Sequence, residues 1–194
     1  MSRPPAVAVV LCSGLLFVAL SAFVHVHSTD RVDLWAYHRF YPGQRWGPTQ
    51  RAADVFVNLL EPVVTSVVFL VIRIRRHSRR ALAGGLARVA LVIFAVVFLK
   101  WFFHRPDVHG SVAHLGGSYP SGHVLALVAY GAPWWLVLVL AVALLVTGTH
   151  WLTDVVAGVL VGLMIRVGVP ALGRYVAWVR AGRRAGSDYD DAAV

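Results

Sequence analysis

Apolar residues come in long unbroken blocks along this chain, without the alternation of a half-buried strand or the one-sided stripe of a soluble helix. The blocks predict six membrane-crossing helices over about residues 5–24, 54–73, 81–103, 121–131, 134–149 and 151–170, an all-α transmembrane bundle. The first follows Met1-Ser2-Arg3, and no clear small-residue cleavage site comes after it, so it reads as a spanning helix rather than a signal peptide. Residues 25–53 then mix Asp30, Arg31, Asp33 and Arg39 with Trp35, Tyr37, Phe40, Tyr41 and Trp46 around a Pro42-Gly43 break, a composition suited to the membrane–water interface. Glu61-Pro62 interrupts the second block. A carboxylate at that depth is expensive unless paired, so Glu61 either contacts a neighbouring helix or marks a kink near water. Gly131-Ala132-Pro133 separates the fourth block from the fifth, and residues 187–194, with Asp188, Asp190 and Asp191, read as a disordered tail.

Only 26 residues separate His123 from His150, whereas two crossings of a core about 30 Å thick need about 20 residues each. The fourth and fifth segments are therefore expected to be short, a hairpin shielded by the other helices.

Composition strengthens the membrane reading. Of 194 residues, 58% are hydrophobic and 14% charged, which excludes an ordinary soluble domain and suits a single bundle over residues 1–186. The net charge of +9 is almost wholly arginine. The stretch RIRRHSRR from Arg73 to Arg80 and the RYVAWVRAGRR stretch near the C-terminus belong on the cytoplasmic side by the positive-inside rule, so the basic excess reflects topology and not a nucleic-acid partner. Six crossings then place both termini inside, and Lys100, Arg105, His123, His150 and Asp154 together at the outer face. Arg166, about 24 Å along the last helix from His150, can snorkel to the inner surface. The lone Cys12 rules out a disulfide framework and a cysteine metal site.

Two short stretches carry the chemistry: Tyr119-Pro120-Ser121-Gly122-His123 and His150-Trp151-Leu152-Thr153-Asp154. On a helix, His150 and Asp154 share one face, close enough for the carboxylate to hold the imidazole. Pro120 to His123 sets a second histidine just inside a helix start, where free N–H groups favour an anion. A neutral imidazole can attack phosphorus, a carboxylate can fix its tautomer, and a protonated second histidine can give the leaving oxygen its proton. Lys100, Arg105 and the amides of Ser121 and Gly122 are the groups available to neutralise the phosphoryl oxygens.

These stretches resemble the type 2 phosphatidic acid phosphatase family, whose membrane members remove phosphate from lipid phosphates or diphosphates. The family's second motif, Pro-Ser-Gly-His, is matched by Pro120 to His123. The end of its third, His-x-x-x-Asp, is matched by His150 and Asp154 within THWLTDVVAG, and the similarity covers roughly residues 50–170. The resemblance implies a six-helix bundle and a metal-independent route with no cofactor, through a phosphohistidine on His150, with Asp154 orienting it and His123 as the acid. It also implies a polyprenyl or glycerolipid phosphate delivered by the bilayer, at the outer face of a cytoplasmic membrane of bacterial type. Two positions depart from the pattern. Counting from Lys100, the first motif's Arg-Pro should fall at Asp107-Val108, whereas Arg105-Pro106 stands two residues earlier; and the third motif's arginine position is Leu144.

Two other readings stay open. His104, His109, His114 and His123 include enough imidazoles for zinc, although a glycine-rich loop lacks the short fixed spacings of structural sites. The absent arginine also fits a non-catalytic member that binds a lipid phosphate or a protein partner. His25, His27, His38 and His77 are given no role.

Overall fold

The computed structural model describes residues 6–43, 46–76, 79–112 and 117–191. Among the described residues every regular element is a helix: α1 (Ala6–His25), α2 (Asp30–Phe40), α3 (Pro48–Leu59), α4 (Pro62–Arg76), α5 (Arg79–Phe103), α6 (Gly122–Tyr130), α7 (Trp134–Thr147) and α8 (Leu152–Asp191). Large apolar side chains point outward along most of them, with Leu15 71% and Trp101 62% exposed. In water such a surface would aggregate; in a bilayer it is the lipid-facing surface. The chain is a multi-pass membrane protein.

Of the six crossings expected, helix length and apolarity support three to four. Ala6–His25, Leu82–Phe103 and Leu152–Arg180 are each long and apolar enough to span, and α3 with α4, bent by 50° at the break between them, would make a fourth. Helix α6 has 9 residues and α7 has 14, about 14 and 21 Å at the helical rise against a core of about 30 Å. They form a short hairpin, and its first arm lies inside the bundle, where every residue from Val124 to Ala129 is buried. Its apolar sequence therefore reflects burial in protein and not contact with lipid, two environments that select the same residues.

Other boundaries move for identifiable reasons. The second expected span splits at Glu61, where Pro62 starts a new helix and the Glu61 carbonyl accepts from Thr65 N (2.9 Å). The interfacial segment contains the amphipathic α2. Pro170 removes one donor from α8 without ending it, and the helix runs on to Asp191 through the first part of the expected tail; residues 192–194 lie outside the described residues. The hairpin turns are set by Gly131 (φ 84°) and Gly148 (φ 67°), left-handed residues at which Ala132 N bonds back to Leu127 O (3.0 Å) and Thr149 N to Leu144 O (3.2 Å).

Helix α8 packs most extensively on α6 and α1. A Cβ at Gly158 would lie 2.7 Å from the Ser121 carbonyl oxygen, and one at Gly162 would lie 2.7 Å from Val128 Cβ and 2.8 Å from Leu125 O. Two small residues four apart thus let the backbones of α8 and α6 come together. This contact brings the start of α6, with His123, against the start of α8, with Asp154.

Candidate active site

Helix α8 begins one residue after Trp151, so Asp154 stands in its first turn, and its side chain reaches back to accept from Trp151 N (2.9 Å) through Oδ2, half of a capping box. The same oxygen faces Nδ1 of His150 at 3.4 Å, and Oδ1 accepts from Arg105 Nη1 at 2.6 Å. Asp154 is fully buried and His150 nearly so. Both carboxylate oxygens are occupied, which fixes the imidazole with Nδ1 toward the acid and Nε2 away from it.

Across from His150 stands His123 in the first turn of α6, with ring centroids 6.0 Å apart and planes at 75°. The start of α6 is tied down on two sides. Ser121 N donates to Asp154 O (2.9 Å), and a Cβ at Gly122 would meet Val96 Cγ1 at 3.1 Å and Pro62 Cγ at 3.3 Å. The Ser121 amide, expected to be free for an anion, is thus already engaged; its hydroxyl Oγ is instead buried without a hydrogen-bond partner. Just before it, Tyr119 Oη bonds Ser21 Oγ (2.8 Å), and burial pushes that phenol up to about 12, so it remains a neutral hydrogen-bonding group.

Lys100 stands in the last turn of α5 and donates from Nζ to Gly117 O at 2.6 Å. With His123, Gly122 and Glu61 it lines the polar end of a cleft of about 200 Å3, whose remaining wall is apolar, from Val92, Ile93, Val96 and Val97 of α5 and Pro62 and Val63 of α4. Glu61 thus sits at the kink between α3 and α4 and also lines this cleft.

Arg105 lies elsewhere than at the polar end of that cleft. Its Nη1 donates to Thr153 Oγ1 (2.7 Å) as well as to Asp154, and its Nη2 donates to Asp33 Oδ2 (2.7 Å), with the guanidinium 5.6 Å from the Trp151 ring centroid. Leu144, where the family pattern has an arginine, is fully buried in an apolar cluster with Val124, Val128 and Leu140, so no charge replaces it there. His104 bonds through Nδ1 to the Trp101 carbonyl, and His109 packs on Tyr41 at 5.6 Å. His114 lies outside the described residues. Among the described residues no three His, Cys, Asp or Glu side chains converge as a metal site would require.

Asp33 is the residue that sequence reasoning missed. It is 2% exposed, accepts from Arg105, from Thr153 Oγ1 (2.7 Å) and from Thr153 N (2.9 Å), and so caps α8 from a different helix. In sequence nothing separates it from Asp30, three residues earlier in the same polar segment.

This arrangement of helices matches a solved structure, a PAP2-type phosphatidylglycerolphosphate phosphatase from Bacillus subtilis, with a TM-score of 0.68 over 86% of this chain and 96% of that one, at 16% sequence identity. The chain has the PAP2-type membrane phosphatase fold. No protein-family model and no curated protein matches it. Within the PAP2-type fold, the two stretches that carry the resemblance face each other across the ends of α6 and α8, with Lys100 on the adjoining helix.

Proposed function

We propose that the protein hydrolyses a lipid phosphate or diphosphate, polyprenyl or glycerolipid, at the extracytoplasmic face of a cytoplasmic membrane. The observation that carries this reading is the pairing of an acid-held imidazole, His150 on Asp154, with a second imidazole that lines a cleft polar at one end and apolar along its wall. A phosphate fits the polar end and a lipid tail the apolar wall, so the bilayer itself presents the substrate. The arginines of RIRRHSRR, on the cytoplasmic side, set the orientation.

The steps follow from the positions of the nitrogens. With its proton on Nδ1, directed at Asp154, His150 has its lone pair on Nε2. That nitrogen forms a bond to phosphorus as the bond from phosphorus to the lipid oxygen breaks, and the leaving oxygen takes a proton from His123. The dianionic phosphate favours the protonated form of His123 by charge. Water then gives a proton to His123 and attacks phosphorus, the N–P bond breaks, and inorganic phosphate leaves. Lys100, the Gly122 amide and the orphan Ser121 hydroxyl neutralise the phosphoryl oxygens. Arg105, engaged by two carboxylates, acts through Asp154.

The test is phosphate release from purified protein in detergent with a chelator, across polyprenyl phosphate, polyprenyl diphosphate, phosphatidic acid and phosphatidylglycerol phosphate. His150→Ala should abolish release, and His123→Ala should slow it and let an acid-labile, base-stable phosphoenzyme accumulate. Turnover by His150→Ala at the wild-type rate would overturn the assignment. One observation favours the second reading, a lipid-phosphate-binding protein without turnover: Leu144 is apolar and Arg105 is held by carboxylates, which leaves Lys100 as the cation lining the cleft among the described residues. Tight binding with no release across all four lipids would establish it.

A further inference from the structure

Three arginines from three helices gather at the other end of the bundle. Arg88 on α5 and Arg166 on α8 lie twelve residues along their helices from Lys100 and Asp154, and Arg73 on α4 lies twelve residues after Glu61, which immediately precedes that helix. At the helical rise this places all three at one level, about 18 Å from that site. Their neighbours show that they share one locality. The guanidinium carbons of Arg73 and Arg88 both lie 5.8 Å from the Phe69 ring centroid. Phe69 stacks on Tyr130 at 4.4 Å, and the guanidinium of Arg166 stands 3.8 Å from where a Cβ on Gly131, the next residue, would be. Arg88 is within electrostatic reach of Arg73 and Arg166.

Local structure accounts for only part of this charge. The ring faces and the C-terminal end of α6 favour cations, but a helix end carries about half a charge against the two guanidiniums of Arg88 and Arg166. Among the described residues neither Arg88 nor Arg166 forms an ion pair with a carboxylate, and Arg88 Nε is buried with no hydrogen-bond partner. Like charges held together, as Arg88 and Arg166 are, repel each other and call for a counter-ion. Guanidinium forks are matched to a phosphate, whose oxygens accept paired N–H donors.

We propose that Arg73, Arg88 and Arg166 form a second anion site, which takes a phosphate group from a phospholipid headgroup or from free inorganic phosphate at the end of the bundle opposite His150. A bound phosphate would link α4, α5 and α8 at that end, and the site is independent of any turnover at His150.

The test uses the full chain in neutral detergent. In the first arm, native mass spectrometry follows retention of phosphatidylglycerol, a diester with no terminal phosphate to release, against phosphatidylcholine. Wild type should retain the anionic lipid selectively. The double variant Arg88→Gln, Arg166→Gln should retain roughly tenfold less, a loss equivalent to about 1.4 kcal/mol. The exposed Arg75→Gln and the distant His150→Ala should both stay near wild type. In the second arm, thermal unfolding is measured with and without inorganic phosphate. Phosphate held only at the His150 end shifts wild type and the double variant equally, so a larger shift in wild type reads the arginine site. Loss in the first arm assigns a lipid headgroup, and a difference confined to the second assigns free phosphate. No difference between wild type and variant in either arm overturns the proposal. If the double variant does not fold, Arg88→Lys, which keeps the charge but not the fork, should weaken retention alone. Equal retention of phosphatidylcholine and phosphatidylglycerol by wild type, with no phosphate-dependent shift, overturns the proposal without any variant.

Discussion

Arg105 and Asp154 are joined at 2.6 Å between Nη1 and Oδ1, and the other oxygen of the same carboxylate faces Nδ1 of His150. The guanidinium therefore positions the imidazole through the acid, while Asp33 holds its second nitrogen. A lysine supplies the charge but cannot span both carboxylates. Arg105→Lys is expected to lower kcat by roughly 100-fold, the scale of a small misplacement of a reacting group, with KM nearly unchanged. Steady-state phosphate release checks this, and an effect confined to KM would place Arg105 on the substrate instead.

Asp33→Asn removes one carboxylate from that network and leaves Arg105 in part uncompensated at a site where Asp33 is 2% exposed. The expected loss is about 3–5 kcal/mol of stability, that of breaking a buried ion pair from one side. Asp30→Asn, at a half-exposed position, should stay within about 0.5 kcal/mol. Reversible unfolding in mixed micelles distinguishes the two, and equal effects would mean that the Asp33 contacts contribute little.

Gly158→Ala places a methyl group 2.7 Å from the Ser121 carbonyl oxygen, which is backbone and cannot rotate away. Helices α6 and α8 must separate, at a cost of about 1–3 kcal/mol, and His123 shifts relative to His150. Both the unfolding midpoint and kcat should fall. A Cβ at Gly173 meets nothing within 4 Å, so Gly173→Ala should be neutral or stabilising by up to about 1 kcal/mol through helix propensity. Wild-type values for Gly158→Ala would mean that the two helices do not need their close approach.

Glu61 places a negative charge on the same cleft as Lys100 and His123. Removing it with Glu61→Gln should relieve about 1 kcal/mol of repulsion against an incoming diphosphate, lowering its KM roughly fivefold, with a smaller change for a monophosphate. High salt should shrink the difference. A rise in KM would mean that Glu61 contacts the headgroup favourably.

The sequence by itself determined the class of protein and the pairing of its chemistry. Apolar blocks of about 20 residues mean a membrane, and the spacing of His150 and Asp154 puts them on one turn of any helix that starts near Trp151. Gly131 announced its turn because a left-handed residue closes α6. What tertiary structure decided was everything that depends on neighbours remote in sequence. An apolar stretch reads the same whether lipid or protein covers it, so only the packing shows that the 9-residue α6 is buried inside the bundle. Arg105 carries the same charge whether it meets a phosphate or two carboxylates, and only the placement of α2 brings Asp33 to it across 72 residues of chain. Local pattern fixes periodicity and burial preference, but which charges cancel each other is a property of three-dimensional distance.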